Sequence, residues 1–195
     1  MTLVARAPMK ERILDAADRL FYGQGIHAVG VDAVAAEAGI SKRTLYNHFP
    51  SKDELVAAYL ARRGQSVTAP AGPPLAQILG VFDELARWFG SKRFRGCPFV
   101  NAVAELSGDR QHPAVPLAVA IKERRVQQFE TQLRALQVPD APALAQQLAI
   151  LFEGAVAVSL VRGGDPQVAH AARAAACALL ASAGVKLADA RDSNA

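Results

Sequence analysis

The chain has 195 residues, 51% apolar and 21% charged, and its 22 Lys and Arg against 18 Asp and Glu give a formal net charge of +4. That length allows one or two globular domains at roughly 100–200 residues each. The mean hydropathy of +0.13 reflects abundant alanine rather than large side chains, so no bilayer-spanning segment is expected, and so small a positive excess does not by itself indicate nucleic acid.

The N-terminus, MTLVARAPMKER, lacks an apolar core followed by a small-residue cleavage site, so secretion is not expected. Cys97 and Cys177 stand far apart with no CxxC or Cys/His cluster, which fits a reduced, cytoplasmic chain. His27, His48, His112 and His170 have no metal-ligand spacing, and GxSxG, HExxH, Walker and GxGxxG motifs are absent. Neither enzyme activity nor a cofactor is expected.

In chain order, Ile13, Leu14, Ala17, Leu20 and Phe21 form one helical stripe with Arg12, Asp15, Asp18 and Arg19 off it, and Gly23 and Gly25 end that helix. Short helices over 31–38 and 42–49, joined by the turn Gly39-Ile40-Ser41, are the ingredients of a helix-turn-helix. Ser51-Lys52-Asp53-Glu54 matches a capping box, which predicts a longer helix over 52–63. The small, polar stretch 64–73 reads as a domain boundary. Beyond it helices are predicted over 74–91, 98–107, 113–137, 141–161 and 166–183. Breakers stand at Gly96, Gly108, Pro139 and Gly163-Gly164, and Asp165-Pro166 offers an N-cap followed by Pro at the first helical position. The tail from Lys186 reads as polar and frayed. The fold class is all-α, with a domain over 1–63 and a larger one over 74–185.

The segment 42–49 carries the strongest functional signal because its residue types sort by face. Leu45 and Phe49 lie together on a helical wheel, Arg43 and Asn47 point the opposite way, and Thr44 and Tyr46 flank them. A face of hydrogen-bonding groups opposite an apolar one suits the DNA major groove, whose donors, acceptors and methyl groups Arg, Thr and Asn can read. Lys42 at the helix start, and His48 and Lys52 near and beyond its end, are placed to meet phosphates. An ordinary solvated face is the alternative for these residues taken alone.

The ordered block from Ile13 to Leu60 resembles the tetracycline-repressor (TetR) family of bacterial transcriptional regulators. It joins a helix ending in an aromatic residue and Gly-x-Gly, then Val31-Asp32-x-Val34-Ala35-x-x-Ala38-Gly39-Ile40-Ser41, then Thr44-Leu45-Tyr46-x-His48-Phe49-x-Ser51-Lys52. The resemblance implies that 1–63 is a three-helix helix-turn-helix DNA-binding domain in which Lys42, Arg43, Thr44 and Tyr46 approach bases, while Asn47, His48 and Lys52 hold the backbone. Many members have Thr or Ser where this chain has Val29 and Gly30; Gly30 can cap the second helix but offers DNA only its backbone amide.

The resemblance further implies that 74–185 binds a small-molecule effector and forms a homodimer through the helices 141–161 and 166–183, without a membrane. Leu144, Leu148, Leu151, Phe152, Ala155, Val158 and Leu160 make the first of these apolar around much of its circumference, and Ala169, Ala172, Ala176, Leu179 and Leu180 line the second; a buried core helix is the competing reading. Trp88, Phe89, Phe99 and Phe129, with Asn101 and Glu105 as polar members, are candidate effector contacts, although a structural role for Asn101 and Glu105 is favoured. Cys97 beside Arg95 and Gly96 invites a thiol-sensor reading, against which stands burial as an inert thiol. The expected function is a ligand-responsive regulator, most simply a repressor that binds a pseudo-palindromic operator as a dimer; the alternative is a helix-turn-helix protein that binds DNA without a ligand.

Overall fold

The computed structural model describes residues 8–67, 69–106, 108–109 and 111–187. The start of the N-terminal segment, position 107 of the helix predicted over 98–107, and most of the polar tail lie outside these residues. Among the described residues all regular structure is helical: α1 (Met9–Gln24), α2 (Val31–Glu37), α3 (Lys42–His48), α4 (Lys52–Gln65), α5 (Pro74–Phe89), α6 (Pro98–Glu105), α7 (Ala114–Ala135), α8 (Ala141–Val161) and α9 (Pro166–Ser182). The described parts of Met1–Val67 and Pro98–Val119 form one compact unit, and those of Thr68–Cys97 and Ala120–Ala195 form another. Chain order alone groups Pro98–Val119 with the C-terminal helices; by packing it groups with the N-terminal ones.

In the first unit the stripe on α1 becomes core: Ile13, Ala16 and Ala17 have no exposed surface. Val34 from α2, Leu45 from α3, and Leu55, Val56 and Leu60 from α4 are equally enclosed. Phe21 meets the buried Tyr59 edge to face, with ring centroids 5.7 Å apart, a geometry in which a positive ring edge meets a negative face. Gly25, at φ 94°, ends α1 one residue after Gln24, so Gly23 lies inside the helix instead of stopping it.

The second unit packs α5 mainly against α9, and α9 also against α8. Its N-termini follow local chemistry: Asp140 accepts from the Ala143 N–H at the start of α8, and Asp165 from the Gln167 N–H at the start of α9. Such caps satisfy donors that the helix itself cannot. At Gly164 a Cβ would stand 2.7 Å from the Phe89 carbonyl oxygen, so that approach of backbone to backbone requires glycine. Arg173 on α9 lies 2.7 Å from Asp83 on α5.

By length and composition α8 is apolar enough to cross a membrane. Core helices pass the same test, and the middle of α8 carries Glu153, whose Oε2 lies 2.6 Å from Lys122 Nζ on α7. Its apolar character has two sources: Leu144, Ala145, Leu148, Ala155 and Val156 are buried, while Ile150, Val158 and Val161 are exposed.

Candidate nucleic-acid interface

The turn between α2 and α3 is built by backbone rules. The Ile40 N–H donates to the Ala35 carbonyl and the Gly39 N–H to the Ala36 carbonyl, both at 3.0 Å, with Gly39 at φ 64°. This is a Schellman ending, which closes orphan carbonyls and needs a left-handed residue after the cap. Arg12 Nη2 on α1 donates to the Ala38 carbonyl at 2.7 Å, so the turn is held to α1. The Ser41 hydroxyl then accepts from the Thr44 N–H at 3.1 Å and starts α3, and the Ser51 hydroxyl does the same for the Glu54 N–H and α4.

Buried Leu45 and Phe49 anchor one side of α3. On the other side Arg43 and Asn47 are exposed, Tyr46 is exposed on the flank, Lys42 and His48 are exposed at the two ends of the helix, and Lys52 is half-buried in the first turn of α4. Thr44 is half-buried, with its hydroxyl 2.9 Å from that of Ser41. The structure therefore brings the seven sequence-derived residues together around one short helix. Gly30 stands at the N-cap of α2 in extended conformation without a side-chain cap.

Electrostatics sort the cations of this unit. Arg19 pairs with Glu37 at 2.9 Å, Arg62 with Asp15 at 2.7 Å and Glu11 at 3.3 Å, and Arg63 with Asp18 at 2.5 Å while lying 4.1 Å from the centre of the Tyr22 ring. Burial pulls the Arg63 pKa down, but hydrogen bonding and charge attraction, chiefly from Asp18, leave it raised overall. Lys42 Nζ lies 3.0 Å from Asp32 Oδ2 on α2, and that hydrogen bond raises the Lys42 pKa. Among the described residues Arg43 and Lys52 have no such ion pair. Lys10, missed by motif reading, places its ammonium 5.6 Å from the Phe49 ring centre. Its signal in the sequence was only its place at the start of α1, which says nothing about proximity to α3.

The candidate effector residues divide. Phe99, Asn101 and Glu105 fall in the first unit, and Trp88, Phe89 and Phe129 in the second. Glu105 has a structural partner: Oε2 accepts the His27 N–H at 2.8 Å, and the Glu105 carbonyl lies 2.6 Å from His27 Nε2. A second contact joins Pro98–Val119 to the N-terminal helices. Buried His112 accepts the Ala114 N–H on Nδ1 at 3.0 Å, which places a neutral ring's proton on Nε2. That atom stands 3.3 Å from Asp53 Oδ1, within ion-pair reach but too poorly angled for a hydrogen bond.

In the second unit Trp88 and Phe89 group with Phe94, at centroid distances of 5.2 and 5.0 Å. Phe129 instead stacks on Phe82 at 6.1 Å, and Phe82 meets Phe152 at 6.5 Å. Arg125 lies 4.8 Å from the Phe152 ring centre. Its Nη1 is buried without a hydrogen-bond partner, and desolvation lowers its pKa against the opposing pull of Glu84 and Glu153. Cys97 is buried, with Lys122 Nζ 3.2 Å from its sulfur. No group of three or more His, Cys, Asp or Glu able to hold a metal lies together among the described residues.

Residues 13–59 match a family model described as bacterial regulatory proteins of the tetR family. The HTH-type transcriptional activator FasR of Mycolicibacterium smegmatis is 48% identical over 60 residues, which are 29% of this chain and only 27% of that relative. The HTH-type transcriptional regulator TtgR of Pseudomonas putida is 30% identical over 141 residues, 60% of this chain and 67% of its own length. A TetR transcriptional regulator of known structure from Streptomyces avermitilis aligns with a TM-score of 0.82 at 32% identity, covering 92% of this chain and 100% of that one.

Proposed function

Because the chain belongs to the tetR family of bacterial regulatory proteins and is thus a DNA-binding transcriptional regulator, we propose that it is a cytoplasmic, ligand-released repressor that reads a pseudo-palindromic operator as a homodimer. The observation that carries the DNA-reading part is the face of α3, where exposed Arg43 and Asn47 stand opposite buried Leu45, with exposed Tyr46 on the flank and exposed Lys42 at the helix start. Arg43, Thr44 and Tyr46 approach base edges, Lys42 at the helix start reaches both a base edge and the neighbouring phosphate, and Asn47, His48 and Lys52 hold phosphates, joined by Lys10. Contacts to the backbone set register, and those to base edges set sequence.

The dimer reading is supported by the outward side of α8, where Ile150, Gly154, Ala157, Val158 and Val161 are exposed, Val161 at 88%. On α9 the exposed Ala171, Ala174 and Ala178 offer a small-residue stripe. A second copy would cover both and set two α3 helices about 34 Å apart, one turn of the duplex. The effector part rests on the helices C-terminal to 64–73, the proposed domain boundary. The unpartnered Nη1 of Arg125 beside Phe152 is a buried donor that an acceptor on a ligand would satisfy. A ligand releases DNA only by binding the DNA-incompetent conformation more tightly. The activator role of FasR belongs to a relative matched over 27% of its length and does not fix the direction of regulation here.

Selection from a random duplex pool should enrich a two-fold consensus; recovery of no preferred sequence would refute operator reading. Lys42→Ala and Tyr46→Ala should each weaken binding to the enriched duplex by about tenfold or more, and Lys42→Ala should also flatten the salt dependence. Unchanged binding in both variants would overturn the assigned face.

A further inference from the structure

Asp32 sits in the first turn of α2, 71% exposed, with its carboxylate on the ammonium that opens α3. Stability does not account for it, since a pair this exposed adds little to folding. Its position is the notable point: Lys42 is the first residue of α3, so a carboxylate stands at the rim of a face built to meet a polyanion. The unit's other carboxylates that hold arginines, Glu11, Asp15, Asp18 and Glu37, restrain Arg62, Arg63 and Arg19. None of those arginines belongs to the α3 face.

We propose that Asp32 is a specificity-determining residue, an internal competitor that occupies Lys42 and thereby suppresses binding to arbitrary DNA more than binding to the operator. This rests on the reading of α3 as the DNA-contacting helix. A phosphate that engages Lys42 must displace a carboxylate already in place, and the freed carboxylate then faces the duplex's negative charge. The exchange therefore yields less than a bare lysine would. Non-specific affinity is almost wholly electrostatic, so it bears this loss in full. In an operator the loss is offset when a base edge supplies a donor, because a cytosine amino group in the major groove can give a hydrogen bond to a carboxylate and a phosphate cannot.

The test compares a random-sequence duplex with the duplex enriched by selection, measured by fluorescence anisotropy across a salt series. Asp32→Asn should raise affinity for the random duplex by about threefold to tenfold and steepen its log–log salt slope by roughly 0.9 per DNA-reading head. The enriched duplex should gain less, so the ratio of the two affinities falls. Asp32→Glu, which keeps the charge, should stay near the parent in both, and in a Lys42→Gln background, where no ammonium is left to release, Asp32→Asn should raise random-duplex affinity by clearly less than in the parent. Unchanged random-duplex binding, or an equal gain on both duplexes, overturns the proposal, and Asp32→Ser, which also removes the charge, decides the same point if Asp32→Asn does not fold. If Lys42→Gln alone changes binding to neither duplex, the failure lies in the assignment of the α3 face instead.

Discussion

Gln137 turns the chain after α7 at φ 59°, the left-handed region in which side chains crowd the backbone. It is held there by a Schellman pair, its own N–H to the Arg134 carbonyl and the Val138 N–H to the Leu133 carbonyl, both at 3.0 Å. Glycine fits that position without the crowding, so Gln137→Gly should stabilise the protein by about 0.5–1 kcal/mol and raise its melting temperature by about 1–4 °C. A melt that is unchanged or lower would show that the Gln137 side chain supplies more than the backbone loses. Asp18 presents the opposite case. Its removal leaves the Arg63 guanidinium half-buried over Tyr22 without its carboxylate. Asp18→Ala should cost about 1–2 kcal/mol in denaturant unfolding, between the values for exposed and fully buried pairs.

At the scale of the element, α3 has seven residues, too few to be stable alone in water, so its existence depends on the Ser41 cap and on Leu45 and Phe49 being buried. Ser41→Ala should destabilise the protein by about 1 kcal/mol and weaken operator binding in parallel, read by chemical denaturation and anisotropy. Features that depend on neighbours in sequence were legible beforehand. Ser51 and Asp165 cap the helices they precede, and the predicted helix centres hold, with ends shifting by one or two residues at most positions. What escaped the sequence are contacts between distant segments: Lys42 with Asp32, Glu105 with His27, His112 with Asp53. Glu105 shows why. Its one-turn spacing from Asn101 resembles a pair of pocket-lining groups, yet it sits at the last residue of α6 and its carboxylate meets the loop after α1. No local pattern encodes that meeting. The candidate DNA-facing residues form one group because one short helix carries nearly all of them, whereas the candidate effector residues are scattered over α5, α6 and α7.

For the whole molecule, the exposed apolar side of α8 is the feature that calls for a partner. Ile150, 62% exposed, lies on it outside the protein's own core, so Ile150→Glu should leave the fold intact while abolishing the proposed dimer in sedimentation velocity. Operator affinity should then fall by about tenfold or more, since one short helix rarely supplies useful specificity on its own. A variant that remains dimeric would place the interface elsewhere. The grouping of Pro98–Val119 with the N-terminal helices carries a practical consequence for recombining members of this family. A hybrid regulator joined at 64–73, with the C-terminal portion of another member, would bring a foreign counterpart of that segment against this head. How that segment packs would then be decided by compatibility with His27 and Asp53, so it has to travel with the head whose residues it touches.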